Sequence, residues 1–232
     1  MKVTLIIPTY NEIGIEDKII KLTDELRSFD YEIIIVEGFD SPIPPVEEIK
    51  TPFKGLKGIY HIKYPKGRGI QLAKGVNLAE GELLIFLHAD TAFTRNQLED
   101  IFENWEDFDY GAFRLKIDGG GLLYRFIEFF VYLRSRIFKL PYGDQTIFIK
   151  SDKLKKIGSI KPLPLFEDVE LMIRCKKEDL RFYLSKYHSI TSNRRWQKNG
   201  VLKTSVKNLS LLILYLAGVK VEKLYRLYYN NR

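Results

Sequence analysis

The 232-residue chain has a single cysteine, Cys175. One thiol excludes an intrachain disulfide and a cysteine zinc cluster, and within a helical pattern it reads as a small buried residue rather than a nucleophile. There is no Gly/Ser tract, no acidic or glutamine-rich run and no internal repeat, so nothing in the chain reads as disordered. The apolar run Leu209–Ala217 is too short for a bilayer span, which needs roughly 20 residues. A signal peptide is also missing: Lys2 leads straight into Val3–Ile7, a short run that stops at Pro8. From this we expect a cytoplasmic protein whose first strand begins near residue 2. Pro65-Lys66-Gly67-Arg68-Gly69 precedes a helical pattern and could bring backbone N–H groups to an anion, but it is neither a Walker loop nor GxGxxG.

Hydrophobic residues make up 45% of the chain, enough for a sizeable core. Length and pattern together suggest one α/β domain with C-terminal additions. The net charge of +7 favours an anionic partner, whether nucleic acid, an anionic membrane surface or a phosphorylated substrate, and does not choose among them.

The first half alternates strands and helices. Val3–Ile7, Glu32–Val36, Gly58–Lys63 and Glu82–Leu87 are apolar runs. Continuously apolar strands suit a mostly parallel sheet covered on both faces. Glu16–Phe29 and Gly69–Glu80 carry apolar residues at helical spacing. Right-handed crossovers then give a doubly wound sheet with its site at the strands' carboxyl ends. In the second half we expect strands at Gly111–Ile117, Gln145–Lys150 and Arg181–Leu184. Helices are expected at Leu122–Phe138, Asp168–Lys177 and Val201–Val219.

Three polar clusters follow apolar strands: Thr9-Tyr10-Asn11-Glu12, then Glu37, then His88-Ala89-Asp90. Each alone reads as a helix cap or turn. Together, on successive strand ends, they supply oxygen ligands for a hard cation and acceptors for a ribose or base. Phe166-Glu167-Asp168 opens a helix, where acidic residues ordinarily complement the dipole and where a carboxylate beside a cleft could serve as a general base. Arg194, Arg195 and Trp196 pair two guanidiniums with an indole, suited to phosphate or to a plain cation–π contact. The stretch 122–136 is apolar nearly all round, with sparse, mostly positive charges. Such a helix is either buried, in the core or against a second copy of the chain, or it rests in a lipid interface.

The ordered series TYNE (9–12), an acidic residue at 37, GRG-x-Q (67–71), EGELLIFLHADT (80–91), YGDQTIF (142–148), LFEDVEL (165–171) and NRRW (193–196) resembles family two of the inverting glycosyltransferases. More narrowly it is similar to the branch associated with radical-SAM and selenoprotein-domain genes. The resemblance runs from Val3 to about Tyr225. It implies a GT-A fold, an α/β architecture with a mostly parallel central sheet flanked by helices and with C-terminal helices. Residues 1–196 would form the transferase domain and residues 197–232 a helical extension on or beside it. It also implies a nucleotide-diphosphate sugar donor and Mg²⁺ or Mn²⁺. Thr9, Asn11, Glu12, Glu37, Arg68, Asp90, Arg194, Arg195 and Trp196 match donor-binding positions. Asp90, with His88 in place of the first acidic residue of the DxD motif, matches the metal position. Asp168 matches the catalytic base, and Asp144, Gln145 and Glu167 the acceptor side.

The expected reaction is a metal-dependent inverting displacement onto a hydrophobic or lipid-linked acceptor, with peripheral contact at the inner face of the membrane or a homodimer, and no nucleic acid partner. The rivals are a sugar-phosphate nucleotidyltransferase, whose Gly-rich loop after the first strand is missing from Thr9–Gly14, and a membrane-docked or nucleic-acid-binding protein without catalysis. Against the latter, clustered carboxylates would repel phosphate unless a cation intervened.

Overall fold

The computed structural model describes residues 1–40, 56–193 and 200–229, apart from the side chains of residues 201–203 and 229. A sheet of seven strands runs in the order β3-β2-β1-β4-β6-β5-β7. The strands are β1 (Lys2–Thr9), β2 (Asp30–Phe39), β3 (Ile59–Pro65), β4 (Leu83–Phe86), β5 (Tyr110–Ile117), β6 (Ile147–Lys150) and β7 (Phe182–Thr191). β1 pairs in parallel with β2 and β4, and β2 with β3. Only β6 is reversed, antiparallel to both β4 and β5, while β5 and β7 are parallel.

The helices are α1 (Ile15–Leu26), α2 (Arg68–Leu78), α3 (Arg95–Glu103), α4 (Leu122–Phe138), α5 (Ser151–Lys156), α6 (Glu167–Lys177), α7 (Val201–Leu216) and α8 (Val221–Tyr229). Side chains alternate across a strand, and the core follows that alternation. Val3, Leu5 and Ile7 of β1 pack with Ile15, Ile19, Leu22 and Leu26 of α1 and with Leu98 and Ile101 of α3. Ile6 packs on the opposite face with Leu72 of α2 and with Leu171, Met172 and Cys175 of α6. Burial pushes the Cys175 thiol up to about 12, which leaves it an inert core residue.

The expected mostly parallel, helix-covered sheet is thus present. Three helices go beyond the expectation. α3 and α5 are not among the elements expected from the sequence, and the expected helix 201–219 ends at Leu216 before a separate α8. Gly218, in the left-handed region (φ 86), supplies the break between α7 and α8. β7 extends seven residues past the expected Leu184, because Ser185, Ser189 and Thr191 are buried polar residues that do not look like a strand face.

The reversal of β6 matters most for the site. Ile147 at its start lies beside Phe86 at the end of β4. The turn Gly143–Gln145 that precedes β6 is therefore delivered to the same sheet edge as His88.

Candidate functional site

At that edge a cleft is lined by Arg68, His88, Gly143, Glu167 and Asp168 over a floor that includes Pro8, Phe86 and Ile147. Arg68 opens α2, and its guanidinium bridges two carboxylates. Nε pairs with Glu167, and Nη2 donates to Asp168 Oδ2 at 2.9 Å. Nη1 lies 3.2 Å from His88 Nε2. The Gly143 N–H donates to Asp168 Oδ2 at 2.8 Å, and the Val169 N–H to Oδ1 at 2.8 Å. Glu167 is almost wholly buried, and burial pushes its carboxyl above the ordinary value against the pull of Arg68. The two carboxylates in turn raise Arg68 despite its desolvation, so the guanidinium is a fixed cation of this cleft.

Glycine is required at two points here. A Cβ on Gly143 would fall 2.8 Å from His88 Nε2 and 3.4 Å from Asp168 Oδ2. A Cβ on Gly69 would meet the Leu163 carbonyl oxygen at 2.4 Å. The glycines of the GRG and GDQ motifs therefore serve close packing around Arg68 and Asp168.

Phe166, just before Glu167, takes a left-handed conformation (φ 63) that costs a non-glycine residue about 1 kcal/mol. Its ring stacks on Tyr215 of α7, with centroids 4.9 Å apart and planes at 27°. Leu211, Leu224 and Tyr228 of the C-terminal helices pack against Leu165 and Phe166. The C-terminal helices thus buttress the strained residue that aims Glu167 and Asp168 into the cleft.

A second group forms around Lys18 of α1, a residue the sequence reading passed over. Its ammonium donates to the His88 carbonyl oxygen at 2.5 Å and to that of Ala89 at 2.7 Å. Burial pushes it down to about 8, against the attraction of Asp90 and Glu12. Lys18 therefore ties α1 to the His88–Asp90 turn, within the electrostatic reach of the two strand-end carboxylates Asp90 and Glu12. The signal was available: Lys18 lies in the apolar stripe of Ile15, Ile19 and Leu22. Gln71 makes a comparable tie. Buried in α2, its Nε2 donates to the Thr9 carbonyl oxygen at 2.8 Å and to that of Val36 at 2.6 Å, joining the ends of β1 and β2.

The structure thus gathers Arg68, His88, Glu167 and Asp168 in one cleft and sets Asp90 and Glu12 about Lys18. Asp144 is half-buried in the same turn as Gly143, with its electrostatic influence on Arg68. Glu37 pairs with His61 of β3, Oε2 to Nε2 at 3.2 Å. Thr9 is buried at the end of β1, and Asn11 is exposed in a left-handed conformation (φ 50) that asparagine tolerates. Gln145 differs from the acceptor-side expectation. It is fully buried, donating to the Phe113 carbonyl oxygen and accepting from Arg134 and Ser135 of α4, so it positions the turn. Arg194, Arg195 and Trp196 lie outside the described residues.

Whether these residues suit a divalent cation depends on the donor set. Mg²⁺ typically takes one or two protein carboxylates and completes its shell with water and substrate phosphates. Asp90, exposed beside the cleft, fits that role. His88 fits poorly, because a guanidinium has no lone pair and Nε2 must be the acceptor facing Arg68. Among the described residues no three His, Cys, Asp or Glu side chains form a ready-made cage, so phosphate oxygens would have to supply most of the shell.

The family model described as glycosyl transferase family 2 matches residues 4–158. The poly(ribitol-phosphate) beta-N-acetylglucosaminyltransferase TarP of Staphylococcus aureus is 25% identical over 66% of the chain, which spans 48% of TarP. The uncharacterized glycosyltransferase MJ1057 of Methanocaldococcus jannaschii is 26% identical over 97% of the chain and 77% of its own length. The chain thus spans about half the length of TarP and more of MJ1057. Among solved structures, S. aureus TarS with UDP-GlcNAc superposes with a TM-score of 0.62 at 20% identity, over 84% of this chain and 59% of TarS. The mannosyltransferase PcManGT of Pyrobaculum calidifontis, with GDP-Man and Mn²⁺, gives 0.58 at 16% identity, over 81% and 56%. These structural likenesses establish the GT-A fold, and the family match covers well over half of the residues: the chain belongs to glycosyl transferase family 2.

Proposed function

We propose that this protein transfers a sugar from a nucleotide-diphosphate donor to a hydroxyl acceptor by a single inverting displacement. The observation that carries the reading is the placement of Asp168 against Arg68 and Gly143, in a cleft lined by His88, two residues before Asp90. Asp168 takes the proton of the acceptor hydroxyl as that oxygen forms its bond to the anomeric carbon. The bond from that carbon to the donor phosphate breaks, and its electron pair leaves with the nucleoside diphosphate. Arg68 holds Asp168 in place and adds positive charge near the leaving group. Thr9, Asn11, Glu12 and Glu37 line the nucleotide side, and Arg194, Arg195 and Trp196 are assigned to the diphosphate. Asp90 would hold a Mg²⁺ or Mn²⁺ ion together with the donor diphosphate, and such an ion supplies neutralisation of the charge developing there.

Asp144 and Glu167 belong to the acceptor side of the cleft, with Gln145 behind them as a support. A hydrophobic or lipid-linked acceptor is favoured by the fastening of this turn to α4, whose outer face is apolar. The YGDQTIF and NRRW series support placement in the branch associated with radical-SAM and selenoprotein-domain genes.

Calorimetry with UDP and GDP, with and without Mn²⁺, tests the donor half. We expect metal-dependent binding of one of them, abolished by Asp90→Ala with the fold retained. Binding that is indifferent to both the metal and the substitution would refute the donor arrangement.

A further inference from the structure

α4 is inverted with respect to an ordinary surface helix. Leu122, Phe126, Phe129, Phe130, Leu133 and Ile137 recur at helical spacing, and all are exposed, Leu122 by 81%, Phe126 by 61% and Phe130 by 64%. The side it turns toward the protein is mixed, with Tyr124, Ile127 and Val131 partly covered beside Glu128, Arg134 and Ser135. Ser135 is its one buried residue, donating to Gln145, and Glu128 accepts from the Ile117 N–H at 2.8 Å. Among the described residues the apolar face of this helix has no partner, so they supply no intrachain core for it. α7 buries Leu211 and Leu212, yet it too exposes apolar side chains, with Val206, Leu209, Ile213 and Leu216 each more than half exposed.

Charge is concentrated in the same places. Residues 122–139 carry four basic side chains against one acidic, and residues 201–229 carry five against one. These two segments account for the whole +7 excess, the rest of the chain being balanced. Arg125 and Arg136 stand at one border of the apolar face of α4 and Lys139 at its end, all exposed. The one acidic residue, Glu128, is largely covered: it accepts from the Ile117 N–H through one oxygen and pairs with Arg125 at 2.5 Å through the other.

An apolar face of aromatic and aliphatic side chains bordered by cations is what an anionic lipid interface accepts. Rings settle among acyl chains and headgroups, and guanidiniums meet phosphates. We propose that α4 docks this protein on an anionic bilayer, lying in the plane of the interface with its apolar face toward the lipid. No helix is long and apolar enough to cross a membrane among the described residues, so α4 rests on the bilayer rather than spanning it. Ser135 and Arg134 of α4 hold Gln145, and Gly143 of the same turn holds Asp168. Docking would therefore set the cleft close to the lipid surface. That last consequence, delivery of the acceptor from the bilayer, rests on the transferase reading, whereas the docking does not.

The test is co-sedimentation of the full chain with vesicles of phosphatidylcholine and phosphatidylglycerol, against phosphatidylcholine alone, at low and high salt. We expect binding to the anionic vesicles that weakens by about tenfold or more when salt is raised or phosphatidylglycerol is left out. Phe126→Ser with Phe130→Ser should abolish it without lowering the melting temperature, since both rings are outside the core. A folded chain that stays in the supernatant would overturn the docking, as would equal sedimentation of the double variant. A dimer seen by light scattering, dissolved by the same substitutions and without affinity for vesicles, would assign the face to a second copy instead. Because the readout is binding alone, an inactive but vesicle-bound protein would sink the transferase reading and leave the docking intact.

Discussion

At the amino-terminal edge of the sheet, Glu32 is 2% exposed and its carboxylate is filled from several sides. The Thr4 hydroxyl donates at 2.6 Å, the Glu80 N–H at 2.7 Å, and the Lys2 ammonium stands at 3.0 Å. At the carboxyl edge, Asp168 is 10% exposed and just as fully hydrogen-bonded, by Arg68, Gly143 and Val169. The difference lies in the cation and in what surrounds it. Lys2 is shared between Glu32 and Glu80 at the open protein surface, where Glu80 is 72% exposed, while Arg68, 36% exposed, faces a cleft lined by His88, Gly143, Glu167 and Asp168. A buried ion pair by itself is therefore a poor marker of function in this molecule. The marker is a pair whose remaining surface faces an opening, beside further strand-end carboxylates.

Substitutions at the two edges should separate cleanly. The largest effect is expected from Asp168→Asn, which keeps the shape and a hydrogen-bond acceptor but removes the base. Single-turnover transfer should fall by about 10²–10⁴-fold, with the far-UV circular dichroism unchanged. Turnover near the parent's would end the assignment of Asp168.

Next comes Gly143→Ala. The added methyl must displace His88, whose Nε2 would be 2.8 Å away, and crowds the Arg68 Nη1 at 3.2 Å that sits beside Asp168. A displacement approaching 1 Å can cost about 10²-fold in rate. The signature to look for is a fall in kcat with little change in donor affinity, and a wild-type kcat would contradict the packing argument.

The smallest catalytic effect, essentially none, is expected at the opposite edge. Glu32→Gln should leave kcat unaltered while costing on the order of 2 kcal/mol in denaturant unfolding, since it weakens a buried, charge-assisted set of hydrogen bonds. Its pH dependence has a definite sign. Burial alone would raise the Glu32 carboxyl, but the bonds from Thr4, Glu80 and Lys2 outweigh it and hold the group below its ordinary 4.5. The stabilisation is therefore complete above the unfolded value and is lost as pH falls through the folded one. Below about pH 4.5 the parent should lose stability faster than Glu32→Gln. Parallel stability curves for the two proteins would show that Glu32 is not a source of the acid sensitivity.

Much of this could be read from the residues in order. Arg68, His88, Glu167 and Asp168 were each singled out by motif, and the structure brings them into contact. Lys18 escaped notice, and Gln71 was only one letter of the GRG-x-Q motif with no role read for it, because their partners are backbone carbonyls, at His88, Ala89, Thr9 and Val36, and a carbonyl carries no residue-type signature. Gln145 was placed on the acceptor side by its motif, and in the fold its amide is spent on Phe113, Arg134 and Ser135.

By itself the sequence determined the parallel half of the sheet, its covering helices and the strand-end clusters. These follow from local periodicity and from the rule that apolar parallel strands need both faces covered. Only the tertiary structure decided that β6 runs backward, so that Gly143 reaches Asp168, and that α4 turns its apolar face outward. Both depend on which neighbour lies on each side of an element. An apolar stripe shows that a face must leave water, and whether it meets a core, a second copy or a lipid surface is set by what the rest of the chain leaves uncovered.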